Sequence, residues 1–341
     1  MMREADLSGE HLVVTGSPYC EKSKNEITFS RFPVEILRKD EAELSFNPNN
    51  AKSASGTMLH FRSDASKIKL SFTFGEGMKR GSAFAIYQNG ELAQEMAFVN
   101  SLNTIKLEFG VLNPGRATDY RIVFPGYSNP ILNELSVNET AKFLKPKVPE
   151  FRYVAMGDSI SHGSGQRLGV YKSWPFLLAE NLKAQLYNVA IGGARVSLQV
   201  AQTLSEYPCI DLLTILIGYN DCNAGVTPED FMAKYIKAIR LVRQNHPETP
   251  IICITPTFTT RTKSINSDHT FDDFRDAAVG VVATLKEEGD SYIFSCRGEE
   301  ITSVANLKNN RPADKTHFSE MGAEMMAEAM SGWIESNIPT L

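Results

Sequence analysis

Paired cysteines are missing from this chain. Cys20, Cys209, Cys222, Cys253 and Cys296 stand singly along 341 residues, odd in number and without a CxxC pair. That pattern excludes a disulfide framework and a thiolate zinc site. Most of the thiols read instead as small buried apolar groups. The histidines His11, His60, His246 and His269 have no ligand-like spacing, so neither a metal nor another cofactor is expected. Excess basic charge is missing too. Lys and Arg number 35 against 40 Asp and Glu, a net charge of −5 with the signs interleaved, which argues against a nucleic-acid partner. No apolar run approaches the length of a membrane span. The opening "MMREADLSGEHLVVTGS" has neither a basic start nor an apolar segment of leader length, so a cytoplasmic location is expected. Repeats and low-complexity tracts are absent on inspection.

What is present is ordinary in bulk, with 42% hydrophobic and 22% charged residues. It divides into two rhythms. Between residues 26 and 140, "EITFSRF", "TMLHFRS", "KIKLSFTF", "AFAIYQNGELAQEMAFV", "TIKLEFG" and "YRIVFPG" read as short strands of period near two. Asn89-Gly90 marks a hairpin, because a type I′ turn needs positive φ at both central residues. Residues 1–140 are therefore predicted to form an all-β, jelly-roll-like sandwich. The stretch 141–150, "AKFLKPKVPE", reads as a linker. Residues 151–341 then alternate strand and helix. Their near-continuous apolar strands imply a parallel sheet covered on both faces, an α/β/α domain.

Ligands of such sheets bind outside the carboxyl ends of the strands. There the sequence places "GDS" (157–159), "NVAIGGAR" (188–195), "IGYNDC" (217–222) and, before the last helix, "PADKTHFSEMG" (312–322). A serine hydroxyl becomes nucleophilic when a base takes its proton, and His317 suits that role for Ser159. Asp314 can fix the imidazole tautomer. The Ser159 and Gly193 N–H groups and the Asn220 amide suit an oxyanion. Gly192 is the rival to Gly193, with the spacing from Asn188 favouring Gly193. Asp158 and Asp221 read as loop-holding carboxylates. His162 either lines the pocket or is a plain loop residue.

These four blocks, in this order over residues 151–335, resemble those of the SGNH, or GDSL, hydrolases. The resemblance implies a three-layer α/β/α fold of flavodoxin type, with Ser159 as nucleophile, Gly193 and Asn220 completing the oxyanion hole, and Asp314 and His317 completing the triad. The layout, with a sandwich ahead of the α/β domain, is similar to carbohydrate esterases of family two and to two-domain GDSL acyltransferases of natural-product pathways. Some esterases of that layout use a dyad, a pattern from which Asp314 departs.

Competing readings are weaker. "GSGQRLG" (163–169) has the spacing GxGxxxG, with no acidic residue ending the second strand and no P-loop lysine. The GxSxG elbow is absent. Trp174, Phe176 and Leu177 suit the buried face of a helix. Phe72, Phe74 and Tyr87 suit a sandwich core more than sugar stacking, so the sandwich is expected to wall the active site. The polar stretch 255–270 is the candidate for setting specificity. The expected activity is hydrolysis of a small acyl ester, acetyl above all, on a sugar or polyol. The alternatives are acyl transfer by the same residues and non-catalytic carbohydrate binding. The partner expected is a small acylated-sugar substrate.

Overall fold

Residues 1–77, 83–99, 101–166, 169–308 and 314–339 are described by a computed structural model. Arg167 and Leu168 of the 163–169 loop, and Pro312 and Ala313 ahead of Asp314, lie outside the described residues.

Alternation builds the N-terminal unit. In Ile68–Phe72 and Ile105–Phe109 every second residue is buried, and the strands Ile68–Phe74 and Ile105–Phe109 pair antiparallel. They belong to a six-stranded sheet with Pro130–Asn138 at its centre. A second six-stranded sheet holds Met58–Ser63, Thr118–Val123, Ala83–Gln88 and Glu91–Ala97. Asn89 (φ 52°) and Gly90 (φ 89°) turn the last hairpin, as their residue types require. The sheets meet through Phe61, Phe72, Phe84 and Phe124, with the Phe72 and Phe84 rings 4.7 Å apart.

Ala83–Gln88 is buried along its whole length. Phe84 and Ile86 point into the sandwich, while Ala85 and Tyr87 face the α/β unit. With Met58 and Val123 they join Tyr153, Ile160, Trp174 and Phe176 in one core. Tyr87 thus lies at the seam between the units. Arg121 clamps that seam. Its fork meets Glu180 at 2.6 Å through both arms, and its guanidinium lies 4.2 Å from the Tyr87 ring centre.

Two stretches differ from expectation. "EITFSRF" pairs only over Ile27–Thr28. Beyond it the chain leaves the sheet and makes one-turn helices Val34–Leu37, Glu41–Leu44 and Pro48–Ala51. Pro33 and Pro48 favour helical starts over sheet pairing. Phe32, Leu44, Phe46 and Ala51 are buried with Val189, Ile191 and Ala194 of the α/β unit. The stretch 141–150 begins with a two-residue strand, Phe143–Leu144, on the edge of Met58–Ser63.

The α/β unit is a five-stranded parallel sheet in the order second, first, third, fourth, fifth: Gln185–Asn188, Arg152–Gly157, Leu212–Leu216, Ile251–Ile254 and Ile293–Cys296. Helices Leu198–Ser205, Pro228–Arg243 and Phe271–Glu287 cover one face. Trp174–Asn181 and Glu320–Asn337 cover the other. Trp174 and Phe176 are buried there, while Leu177 is half-exposed. Thr227 accepts from the Asp230 N–H ahead of Pro228, and Thr270 with Asp273 closes a capping box. All five cysteines are free. Among the described residues no helix is long and apolar enough to cross a membrane, and no cluster of three metal-ligating side chains forms.

Candidate active site

The chain order places the first strand between the second and third, so their carboxyl ends frame a crevice where the winding reverses. Ser159 opens a one-turn helix, Ser159–His162, directly beyond the first strand. Asp158 caps that turn, its Oδ1 accepting from the Ile160 N–H at 2.9 Å. The structure brings Ser159 together with His317, 158 residues away. Ser159 Oγ lies 2.8 Å from His317 Nε2. Both Asp314 oxygens meet His317 Nδ1, at 3.0 and 3.1 Å. Asp314 Oδ1 also accepts the backbone N–H of His317 at 3.1 Å. The carboxylate therefore fixes the ring both at its nitrogen and at its backbone. The proton sits on Nδ1, which leaves the Nε2 lone pair for the serine hydroxyl.

Burial pushes the Asp314 carboxyl upward. The backbone N–H and imidazole of His317, with the Thr316 N–H, outweigh burial and hold it below the usual carboxylate value. The side chains of His317 and Asp314 are 32% and 17% exposed, so the pair is open to a reactant from the serine side.

The donors that the sequence offers for an oxyanion differ in how they are engaged. Gly192 is buried and its N–H donates to His162 Nδ1 at 2.8 Å. Gly193 is exposed, at φ +83°, with open space where a side chain would stand. Its N–H and that of Ser159 meet no acceptor among the described residues. The Asn220 amide is anchored by Ala194 O at 3.0 Å, and its contact with Asp158 Oδ2 is long, at 3.5 Å. The Ser159 and Gly193 N–H groups are thus left uncommitted among the described residues, while both Asn220 amide protons have acceptors.

His162 is fully buried and does not face an open pocket. Its Nε2 meets Gly126 O at 2.9 Å and Ser53 Oγ at 3.0 Å, and Tyr127 stacks on the ring at 4.1 Å. Burial first, then the charge of Arg31, pulls its pKa down to about 3, so it is neutral. Asp158 and Asp221 hold loops through the Ile160 and Val196 N–H groups. Burial pushes them up to about 7 and about 6, and their mutual proximity raises Asp158 further.

Tyr219 was not singled out by sequence, although it stands inside "GYND". Its hydroxyl accepts from Thr316 Oγ1 at 2.6 Å, and its ring stacks on Phe271 at 4.7 Å. It braces the His317 loop. The stretch 255–270 braces the same loop, with Thr259 Oγ1 donating to Lys315 O at 2.9 Å. A cavity of about 780 Å³ lined by Tyr19, Phe32, Arg38, Lys52 and Glu206 contains none of Ser159, Asp314 and His317. The geometry of nucleophile, base and donors is the better guide to chemistry than cavity size.

Comparison with known proteins places the chain in a family and finds solved structures of similar fold. The family of GDSL-like lipases and acylhydrolases matches residues 155–325. The salicylyl-acyltransferase SsfX3 of a tetracycline biosynthetic pathway has a similar fold over its length, with a TM-score of 0.84, 21% identity, and coverage of 100% of this chain and 99% of that one. A family two carbohydrate esterase from Clostridium thermocellum, an active-site mutant bound to a cello-oligosaccharide, scores 0.66 at 16% identity, covering 93% and 99%. The acetyl xylan esterase Est2A from Butyrivibrio proteoclasticus scores 0.69 at 12% identity, covering 99% and 98%. No curated protein sequence matches.

Proposed function

Since this chain belongs to the GDSL-like lipase/acylhydrolase family, we propose that it is a serine esterase that removes a small acyl group, acetyl above all, from a sugar or similar polyol. The observation that carries the reading is the relay Ser159–His317–Asp314 beside uncommitted N–H groups on Ser159 and Gly193. Ser159 Oγ bonds to the ester carbon as its proton passes to His317 Nε2. The carbonyl oxygen becomes an oxyanion facing Ser159 N–H, Gly193 N–H and Asn220 Nδ2, each such donor contributing about 3 kcal/mol to the barrier reduction. His317 then gives its proton to the departing alkoxide, leaving an acyl-serine. Water, deprotonated by the same nitrogen, releases the acid. Asp314 stays an anion and stabilises the imidazolium throughout.

The sugar or polyol alcohol is supported by the fold shared with carbohydrate esterases. A second reading keeps the acyl-serine and hands it to an alcohol other than water. It is supported by the full-length likeness to an acyltransferase. Turnover of acetylated sugars and p-nitrophenyl acetate, with and without acceptor alcohols, separates the two by their products. Under either, Ser159→Ala lowers kcat by roughly 10⁴-fold or more, and a fluorophosphonate label maps to the peptide carrying Ser159. Retained turnover in Ser159→Ala refutes the serine mechanism, and absence of any turnover from the unaltered protein favours a carbohydrate-binding role.

A further inference from the structure

The N-terminal unit reaches into the loop that carries Gly193. We propose that Asn50 and Arg31 are positioning residues of the oxyanion hole: Asn50 sets the plane of the Gly192–Gly193 peptide, and Arg31 holds Asn50 and the end of the second strand in one frame. The inference rests on the serine mechanism above and assigns a role to residues outside the α/β unit.

Asn50 Nδ2 donates to Gly192 O at 2.8 Å. That carbonyl and the Gly193 N–H belong to one planar trans peptide and point in opposite directions. A hydrogen bond on the oxygen therefore fixes the direction of the N–H. It also polarises the peptide and makes the N–H a stronger donor, by about 10–30% per bond. The control is needed because two consecutive glycines flank this peptide. Neither has a Cβ to resist a flip of the plane. Gly192 is gripped from the other side as well, through its N–H to His162 Nδ1. Only a neutral imidazole can accept there, and the buried charge of Arg31 helps keep it neutral.

Arg31 is 1% exposed, and its contacts include no carboxylate. Nη1 donates to Asn188 O at 2.7 Å and Ala190 O at 2.8 Å, both leading into Gly192. Nε donates to Ser53 O at 2.7 Å, and Nη2 lies 3.3 Å from Asn50 O and 3.2 Å from Ala51 O. One planar fork thus ties the turn bearing Asn50 to the strand end bearing the glycines. A lysine ammonium cannot reproduce five donors in that plane. Burial pulls the guanidinium down to about 9, still charged at neutral pH.

The test uses the full chain and a small activated ester. Asn50 is half-buried, so Asn50→Ala and Asn50→Asp are expected to fold with little change in Tm. Each should lower kcat by about 10-fold or more while KM stays within about twofold. Each should weaken an alkylboronic acid, whose adduct with Ser159 places an anionic oxygen in the hole, by the same factor. Arg31→Lys should show the same split. If Asn50→Ala keeps kcat and boronic-acid affinity within twofold, or loses kcat without losing that affinity, Asn50 only packs and the inference is overturned. If Ser159→Ala retains turnover, the serine mechanism falls, and this inference falls with it for that separate reason.

Discussion

Asp314 makes four hydrogen bonds with two oxygens, to the His317 ring, the His317 N–H and the Thr316 N–H. Asparagine would keep the shape but could turn an NH₂ toward Nδ1, which would then have to accept. The proton would move to Nε2 and the base would be lost. Asp314→Asn is therefore expected to lower kcat by roughly 10⁴-fold with little change in fold, read by steady-state kinetics and circular dichroism. At this scale the sequence was legible where chemistry and spacing coincide: it paired Ser159 with His317 and Asp314, and the structure brings those three side chains together. It was mute about Asn50 and Arg31. Asparagine and arginine before residue 60 carry no mark of a partner 142 or 157 positions away. His162 was ambiguous for a related reason: only the fold shows which backbone groups its two nitrogens meet.

Elements were legible where a period or a cap announced them. The parallel strands read as unbroken apolar runs because both faces are covered, as in Leu212–Leu216 and Ile251–Ile254. Thr227-Pro228 marked the start of its helix, and the Thr227 hydroxyl does accept the Asp230 N–H at 3.1 Å. Thr227→Ala should cost about 1 kcal/mol of stability. It should leave kcat within about twofold, since the Thr227 hydroxyl bonds only its own helix's Asp230 N–H, and a urea denaturation curve beside a rate assay checks both halves. Only Ile27–Thr28 of the expected strand "EITFSRF" is strand, and the one-turn helices that follow went unread because they have no period to detect. Their order comes from Phe32, Leu44 and Phe46 packing on a distant strand end, a tertiary effect invisible to a local window.

Over the whole molecule, four buried titratable groups oppose one another. Burial, then Arg121, pulls His60 down to about 3, and His162 is likewise down at about 3. Such histidines favour the fold above the ordinary histidine value, about 6.5, and that contribution is lost as pH falls toward 3. Asp158 and Asp221 run the other way. Raised to about 7 and about 6, they favour the fold below the ordinary aspartate value of about 3.9, and lose that contribution as pH rises through 6 and 7. The two trends offset between about pH 4 and 6.5, and below 4 the histidines act alone. Asp158→Asn removes one offsetting acid. Its urea midpoint should fall more between pH 7 and pH 5 than that of the unaltered protein, and an identical fall would show that Asp158 is an ordinary acid. The change from antiparallel sheets to a parallel sheet was legible from the change of rhythm. The seam was not, because the alternation in "AFAIYQ" is between two cores rather than between core and water.

Ala83–Gln88, walled in on either side, also constrains how reactants travel. Two bodies joined along an apolar, aromatic seam and riveted by Arg121 and Glu180 cannot swing apart like the valves of a shell. Under the proposed serine mechanism, a reactant would then reach Ser159 past the loops that carry Gly193 and His317 and not through a gape between the two bodies.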